Sequence, residues 1–315
     1  MAIPTAKLQP SIGPIAGLAD AALFCAAAIV DGRRIVTDAT IAVTDPASGE
    51  ILGRIPALDA VQSASAVDAA AAAFRAWSGL LPQQRSAILR RWFELILSAR
   101  DDLALIMTRE QGKPISEARG EIEYAASFVE FYAEEAKRPN IESVTSHLPD
   151  AEVEVWREPA GVAGLITPWN FPAAMLTRKA AAALAAGCTC VVHPSAETPF
   201  SATALAVLAE RAGMPPGVFN IVTGHAAEVV GPWTADPRVR ALSFTGSTEI
   251  GRLLFRQSAN TVKLLVLELG GLAPFIVFAD ADLEQVGEEA IRAKFATSGQ
   301  DCLGANRFFI ERGIY

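Results

Sequence analysis

Apolar positions change their spacing twice along the chain. Up to about residue 60 they fall in short runs broken by turn signals at Asp31-Gly32 and Asp45-Pro46, which predicts an opening helix followed by short strands. The longest early run, Ala21 to Val30, reads as a helix turning into a first strand. It is about half the ~20 residues a membrane-spanning helix needs. Acidic Asp20 and Asp31 flank it, and only Lys7 gives the start positive charge, so neither a membrane partner nor a signal peptide is expected.

Helical spacing takes over from Ser63 to Trp77, an alanine-rich stretch, and again after Pro82, with Ile88, Trp92, Leu95 and Ala99 at steps of three or four. A third helix is predicted over Ile115 to Lys137, with Ile122, Ala125, Val129 and Ala133 on one face and the Pro139-Asn140 pair stopping it. Val144, Leu148, Val153 and Val155 then lie in two short runs around Pro149-Asp150, a β-hairpin pattern. Such a hairpin is either an arm reaching a neighbour or an ordinary surface hairpin, and the residues favour neither.

From residue 161 the rhythm is strand, helix, strand, helix. Apolar runs at Val162–Ile166, Cys190–Val192, Val218–Val222, Ala241–Phe244, Leu264–Leu267 and Phe275–Phe278 carry almost no polar alternation. Helices are predicted from Phe171 to Gly187 and from Ser201 to Ala212. Continuous apolar strands alternating with helices imply a parallel sheet covered on both faces, so the fold class is α/β with a doubly wound sheet.

Composition narrows the function. A net charge of −8 and a 51% hydrophobic content exclude a disordered chain and a general nucleic-acid binder. Four cysteines in 315 residues make no disulfide framework and read as reduced cytosolic thiols, so the expected location is cytoplasmic. Cys188 and Cys190 are followed by no His or Cys pair at zinc-ligand spacing, and no metal is expected.

Four stretches carry candidate chemistry. Phe244-Thr245-Gly246-Ser247-Thr248 ends a strand and begins a helix near Gly246, where free N–H groups bind phosphate. Gly246 lets a pyrophosphate approach and Ser247 offers a hydroxyl, but a plain capped helix start explains the pattern as well. Glu268 ends an apolar run before Gly270-Gly271. Apolar surroundings would raise its pKa towards a general base's range, whereas a strand-end carboxylate facing solvent is the alternative. Cys302 follows Gly299-Gln300-Asp301 in a turn-like stretch, unlike Cys25, Cys188 and Cys190 in apolar runs, and a thiol nucleophile there needs thiolate character. Asn170, in Thr167-Pro168-Trp169-Asn170-Phe171-Pro172 after a strand, is either an oxyanion donor or a turn residue.

Together with Glu110-Gln111-Gly112-Lys113-Pro114, these stretches make the chain resemble the NAD(P)-dependent aldehyde dehydrogenase superfamily, from about residue 20 to the end. Ala173-Ala174-Met175-Leu176-Thr177-Arg178-Lys179 and Ala273-Pro274-Phe275-Ile276-Val277-Phe278 are most similar to the succinate-semialdehyde dehydrogenase branch. The resemblance implies NAD or NADP as cofactor and a small-molecule aldehyde as substrate, oxidised to a carboxylate. Cys302 would be the nucleophile, Glu268 the base and Asn170 the oxyanion donor. Thr167, Pro168, Trp169, His193, Ser195, Ala196, Gly246, Ser247 and Leu269 would contact the cofactor, and Arg178 the substrate's distal carboxylate. It also implies a NAD(P)-binding domain over 1–141 and 159–265, an oligomerisation arm over 142–158, the start of a catalytic domain over 266–315, and homo-oligomers.

The chain departs from the family pattern at several positions. His193-Pro194-Ser195-Ala196 stands where a Lys-Pro-x-Glu segment is usual, which leaves NAD against NADP open. Ala296 replaces a second carboxylate-binding arginine, and Leu272 a polar residue after Gly271. The sequence stops at Tyr315, 13 residues beyond Cys302, where family subunits continue, so a C-terminally truncated chain is expected. Two alternatives to the oxidoreductase therefore stand: a weakly active or inactive fragment that retains nucleotide binding, and a cofactor-independent esterase using the same cysteine.

Overall fold

The computed structural model describes residues 15–138 and 141–315; Lys7 and the Pro139-Asn140 helix stop lie outside them. The chain opens with β1 (Ala28–Val30) and β2 (Arg33–Ile35), then the hairpin β3 (Thr40–Thr44) and β4 (Ile51–Pro56). Four helices follow: α1 (Ala60–Ser78), α2 (Pro82–Ser98), α3 (Arg100–Gln111) and α4 (Ile115–Glu135). Strands β5 (Ile141–Val144) and β6 (Val153–Trp156) pair antiparallel. Then come β7 (Val162–Ile166), α5 (Ala174–Ala185), β8 (Thr189–His193), α6 (Pro199–Arg211), β9 (Phe219–Ile221), α7 (Ala226–Ala235), β10 (Val239–Thr245), α8 (Thr248–Ser258) and β11 (Leu264–Glu268). Parallel β12 (Pro274–Val277) and β13 (Arg307–Ile310) form a separate pair, with α9 (Leu283–Phe295) between them in sequence.

The main sheet has seven strands in the order β11-β10-β7-β8-β9-β1-β2. Pairing is parallel from β11 to β9 and antiparallel where β1 and β2 extend the edge. Side chains alternate between two cores, as a strand covered on both faces requires. In β7, Ala163 and Leu165 enter the core shared with α2–α6, while Val162 and Ile166 enter the core shared with α1, α7 and α8. Gly164 faces the second core, where an added Cβ would meet Leu242 at 2.8 Å. The doubly wound α/β reading of the sequence thus holds. The winding proceeds from β7 to β8 and β9 in one direction, then restarts at β10 on the other side of β7. Open α/β sheets bind ligands where the winding reverses, here at the carboxyl ends of β7 and β10.

Local elements differ from expectation in instructive places. The opening helix is one 3-10 turn, Ala21–Leu23, before β1. Helix α3 was not foreseen: only Ala99 separates it from α2, and its charged residues mask the buried Leu103, Ile106 and Met107. It ends at Gly112, whose φ of +84° supplies the left-handed turn, and an added Cβ would strike Pro46 at 2.9 Å. That turn sends Lys113 inward.

Helices α5 and α6 begin without a side-chain cap of their own. Distant carboxylates supply one. Glu110 accepts from the backbone N–H groups of Phe200 (2.7 Å) and Ser201 (2.8 Å), and Glu121 from those of Ala173 (3.0 Å) and Ala174 (3.1 Å). Burial pushes the Glu110 carboxyl from 4.5 up to about 8, against the pull of its hydrogen bonds to Ser201 and Phe200. A pKa raised on folding gives stability that is complete below the unfolded value and is lost as pH rises towards the folded one. Melting of the chain and of Glu110→Gln between about pH 5 and pH 8 checks this: the wild type should lose stability relative to the variant as pH rises. A difference that stays constant, or moves in the wild type's favour, contradicts the assignment.

Candidate active site

Strand register brings the candidate residues to one edge. Ile166 pairs with His193 and Phe244, and Thr245 with Glu268, so β8, β7, β10 and β11 end at one level. Three strand spacings separate His193 from Glu268, about 14 Å across the edge. The Thr167 N–H donates to the His193 carbonyl at 3.1 Å, tying the first two loops together.

Asn170 lies in the loop between β7 and α5. Its side-chain Nδ2 donates to the Gln300 carbonyl at 2.8 Å, spanning 130 residues to reach the loop that carries Cys302. An amide has two N–H groups, so one donor remains. Thr297 and Ser298 both hold φ of +55° just before that loop, sparsely populated backbone for residues with side chains. The Thr297 N–H donates to Glu117 Oε2 at 2.6 Å, which secures the segment.

Cys302 is exposed, whereas Cys188 and Cys190 are buried and Cys25 is half-buried. Its thiol is held above the ordinary value of 9.0, first by partial burial and then by the negative charge of Asp301, with a further push from Glu268. Its own backbone N–H and Arg178 pull the other way. The thiolate character anticipated from sequence is therefore not built into this environment. The apolar setting anticipated for Glu268 is absent too: β11 is an edge strand, Leu264 and Val266 are 63% and 51% exposed, and Glu268 itself is exposed.

Lys179 is a residue whose place here the sequence reading missed. It is buried on α5, its Nζ donates to Ser243 Oγ at 3.0 Å, and burial lowers its pKa to about 8 while the nearby Glu268 charge opposes that shift. A lysine directly before the all-alanine stretch 180–183 was the available signal. Arg178 stands beside it, with Nη2 donating to the Tyr124 hydroxyl at 2.6 Å and the guanidinium 4.6 Å from the Phe128 ring centroid.

The groups along the rest of the edge suit a dinucleotide. Ser247 is the N-cap of α8, accepting from the Ile250 N–H at 3.3 Å, as the capped-helix reading of this turn expects. Gly246 has a second role, because an added Cβ would lie 2.4 Å from the Phe244 ring. Leu269 packs over Gly251, where a Cβ would meet it at 2.6 Å. Thr245 Oγ1 is buried with no hydrogen-bond partner, an orphan hydroxyl beside the Gly246-Ser247 turn. His193 Nδ1 lies 3.0 Å from the Val222 carbonyl, which can only accept, so Nδ1 carries the proton. Burial keeps the ring neutral, leaving Nε2 as an acceptor. Ser195 donates to Glu197, a carboxylate one residue beyond Ala196. Thr167 is buried, Pro168 half-buried and Trp169 37% exposed.

Comparison with known proteins matches residues 35–315 to the aldehyde dehydrogenase family. The chain belongs to that family. It is 55% identical over 300 residues to a non-phosphorylating aspartate-semialdehyde dehydrogenase of Halomonas elongata, covering 95% of this chain and 61% of the relative. It is 52% identical to the NADP(+) succinate-semialdehyde dehydrogenase of Escherichia coli, covering 95% and 62%. The solved succinate-semialdehyde dehydrogenase of Burkholderia pseudomallei superposes with a TM-score of 0.93 at 51% identity, over 95% of this chain and 62% of that one. The chain thus spans about three-fifths of the length of these relatives. Among the described residues, no helix of this aldehyde dehydrogenase chain is long and apolar enough to cross a membrane.

Alkylation tests the electrostatics of Cys302. Mass spectrometry after brief iodoacetamide treatment should find Cys302 modified before the other three cysteines. Asp301→Asn should react faster at pH 8, because removing the adjacent negative charge favours the thiolate. An unchanged or slower rate contradicts the stated cause of its raised pKa.

Proposed function

We propose that this chain carries the machinery for oxidising a carboxylate-bearing semialdehyde to the corresponding acid with NAD or NADP. The observation that supports it most is the hydrogen bond from Asn170 to Gln300, which aims an amide donor at the loop bearing the exposed Cys302. Relatives named for aspartate and succinate semialdehydes share a substrate class with a distal carboxylate, and Arg178 offers a cation near Cys302 to receive one.

Cys302 Sγ attacks the aldehyde carbon, and the carbonyl oxygen takes the negative charge. The second Asn170 N–H and the Cys302 backbone N–H stabilise that oxygen. Because the thiol is held above its ordinary pKa, a base must remove its proton, and the reading gives that role to Glu268, which with Asp301 is one of two carboxylates whose charge reaches it. A nicotinamide cofactor, when bound, would supply the hydride acceptor needed for Cys302 to carry the acyl group as a thioester. Glu268, exposed to solvent, gives up the thiol proton to water and, ionised again, takes a proton from a second water whose oxygen attacks the thioester carbon, releasing the acid and the Cys302 thiolate. The Glu268 charge in turn helps Lys179 keep its proton against burial.

Thr245, Gly246, Ser247 and His193 would hold the cofactor, with Thr167, Pro168, Trp169, Ser195, Ala196 and Leu269 lining its path. Residues 1–141 and 159–265 would form the cofactor domain. In the same reading 142–158 is an oligomerisation arm and 266–315 belongs to the catalytic part.

The test follows reduced-cofactor absorbance with succinate semialdehyde and NAD or NADP. The chain should turn over, and Cys302→Ala should lose at least about a thousandfold in rate. Full activity in Cys302→Ala refutes the nucleophile. Tight cofactor binding without any turnover in the wild type would instead favour a nucleotide-binding role.

A further inference from the structure

Lys113, Glu117 and Glu121 play no part in the chemistry above, yet each reaches a loop of the candidate site. Glu117 and Glu121 are four residues apart on α4 and so share one helix face. Glu117 accepts from the Thr297 N–H at 2.6 Å, five residues before Cys302. Glu121 accepts from the Ala173 and Ala174 N–H groups, three and four residues after Asn170. Lys113 is 1% exposed and is ion-paired with Glu121. It also donates to the Asn170 carbonyl at 3.0 Å and lies 4.1 Å from the Phe171 ring centroid.

A single rigid helix therefore grips both the nucleophile loop and the oxyanion-donor loop from behind. The Thr297-Ser298 segment needs such a grip, since its left-handed backbone persists only where the surroundings over-determine it. Lys113 holds the Asn170 carbonyl and Glu121 the backbone three and four residues on, which fixes the stretch from which the Asn170 amide reaches Gln300. Two deeply buried charges are costly to retain for stability alone, because a well-packed apolar pair of similar volume is often as stable.

We propose that Lys113, Glu117 and Glu121 are positioning residues that use α4 as a common support to fix Asn170 against the Cys302 loop. The proposal rests on the reading of Cys302 and Asn170 given above, and its test separates the two. Glu117 is exposed, so Glu117→Ala leaves the core intact, while Glu117→Gln keeps an acceptor for Thr297. For the buried pair, Lys113→Met combined with Glu121→Leu removes both charges together and leaves neither stranded.

The full chain is first examined by hydrogen exchange. Glu117→Ala should speed exchange in 296–302, and the paired variant in 170–174, with segment 244–250 unchanged in both. In turnover, Glu117→Ala and the paired variant should each lower kcat by about tenfold to a hundredfold, with an unchanged KM for cofactor. Glu117→Gln should restore most of the rate. In an Asn170→Ala background the paired variant should cost nothing further, because its effect passes through Asn170.

Wild-type kcat in both Glu117→Ala and the paired variant overturns the proposal, as does a loss fully additive with Asn170→Ala. An absence of turnover in the wild-type chain defeats the functional reading. In that case, exchange unchanged at 170–174 and 296–302 overturns the positioning role as well.

Discussion

Parallel pairing of β8, β7, β10 and β11 in matched register is the constraint on which the candidate site depends. Each strand delivers its following loop to the same edge, and the winding reverses there between β7 and β10. A one-residue slip of any strand would turn its side chains to the opposite core and lift its loop out of line. Gly164 shows how tight the fit is, since even a methyl group there would meet Leu242 and Trp233.

Electrostatics complete what register begins. Helices α5 and α6 start at that edge without caps of their own, and buried Glu121 and Glu110 reach across from α4 and α3 to satisfy them. Truncating one member of the Lys113–Glu121 pair would strand a buried charge, at a cost of about 3–5 kcal/mol. Lys179 and Glu268 face each other across the site, and Asp301 and Arg178 act on Cys302 with opposite sign. In the described residues the thiol is kept protonated by its surroundings, so the proposed chemistry needs a base as well as a nucleophile.

Much of this was legible in the residues. The apolar runs that became β7, β8 and β10 were located within two residues of their ends, because buried parallel strands leave an unbroken apolar signature. Pro82 marked the first residue of α2. Cys302 stood apart from the other cysteines through its polar neighbours, and the structure leaves it the exposed one. Family membership followed from motif order. What stayed hidden depends on partners far away in sequence. Glu110, Lys113 and Glu121 look like surface charges on helices until backbone N–H groups 52 to 91 residues downstream are placed against the two glutamates. Glu268 left an apolar setting and a solvent-facing strand end equally open, because only the position of β11 at the sheet edge, exposing alternate residues, decides for the second. Helix α3 was obscured by charges at both ends and by its near-continuity with α2.

The proposed chemistry requires a dinucleotide along this one edge with its reactive ring at Cys302. A crystal structure of the chain grown with NAD or NADP would decide it. The pyrophosphate should lie at Gly246 and Ser247 with Thr245 Oγ1 engaged, a ribose hydroxyl at His193 Nε2, and the nicotinamide ring in van der Waals contact with Cys302 Sγ. A cofactor bound away from the carboxyl ends of β7 and β10, or a nicotinamide directed away from Cys302, would contradict it.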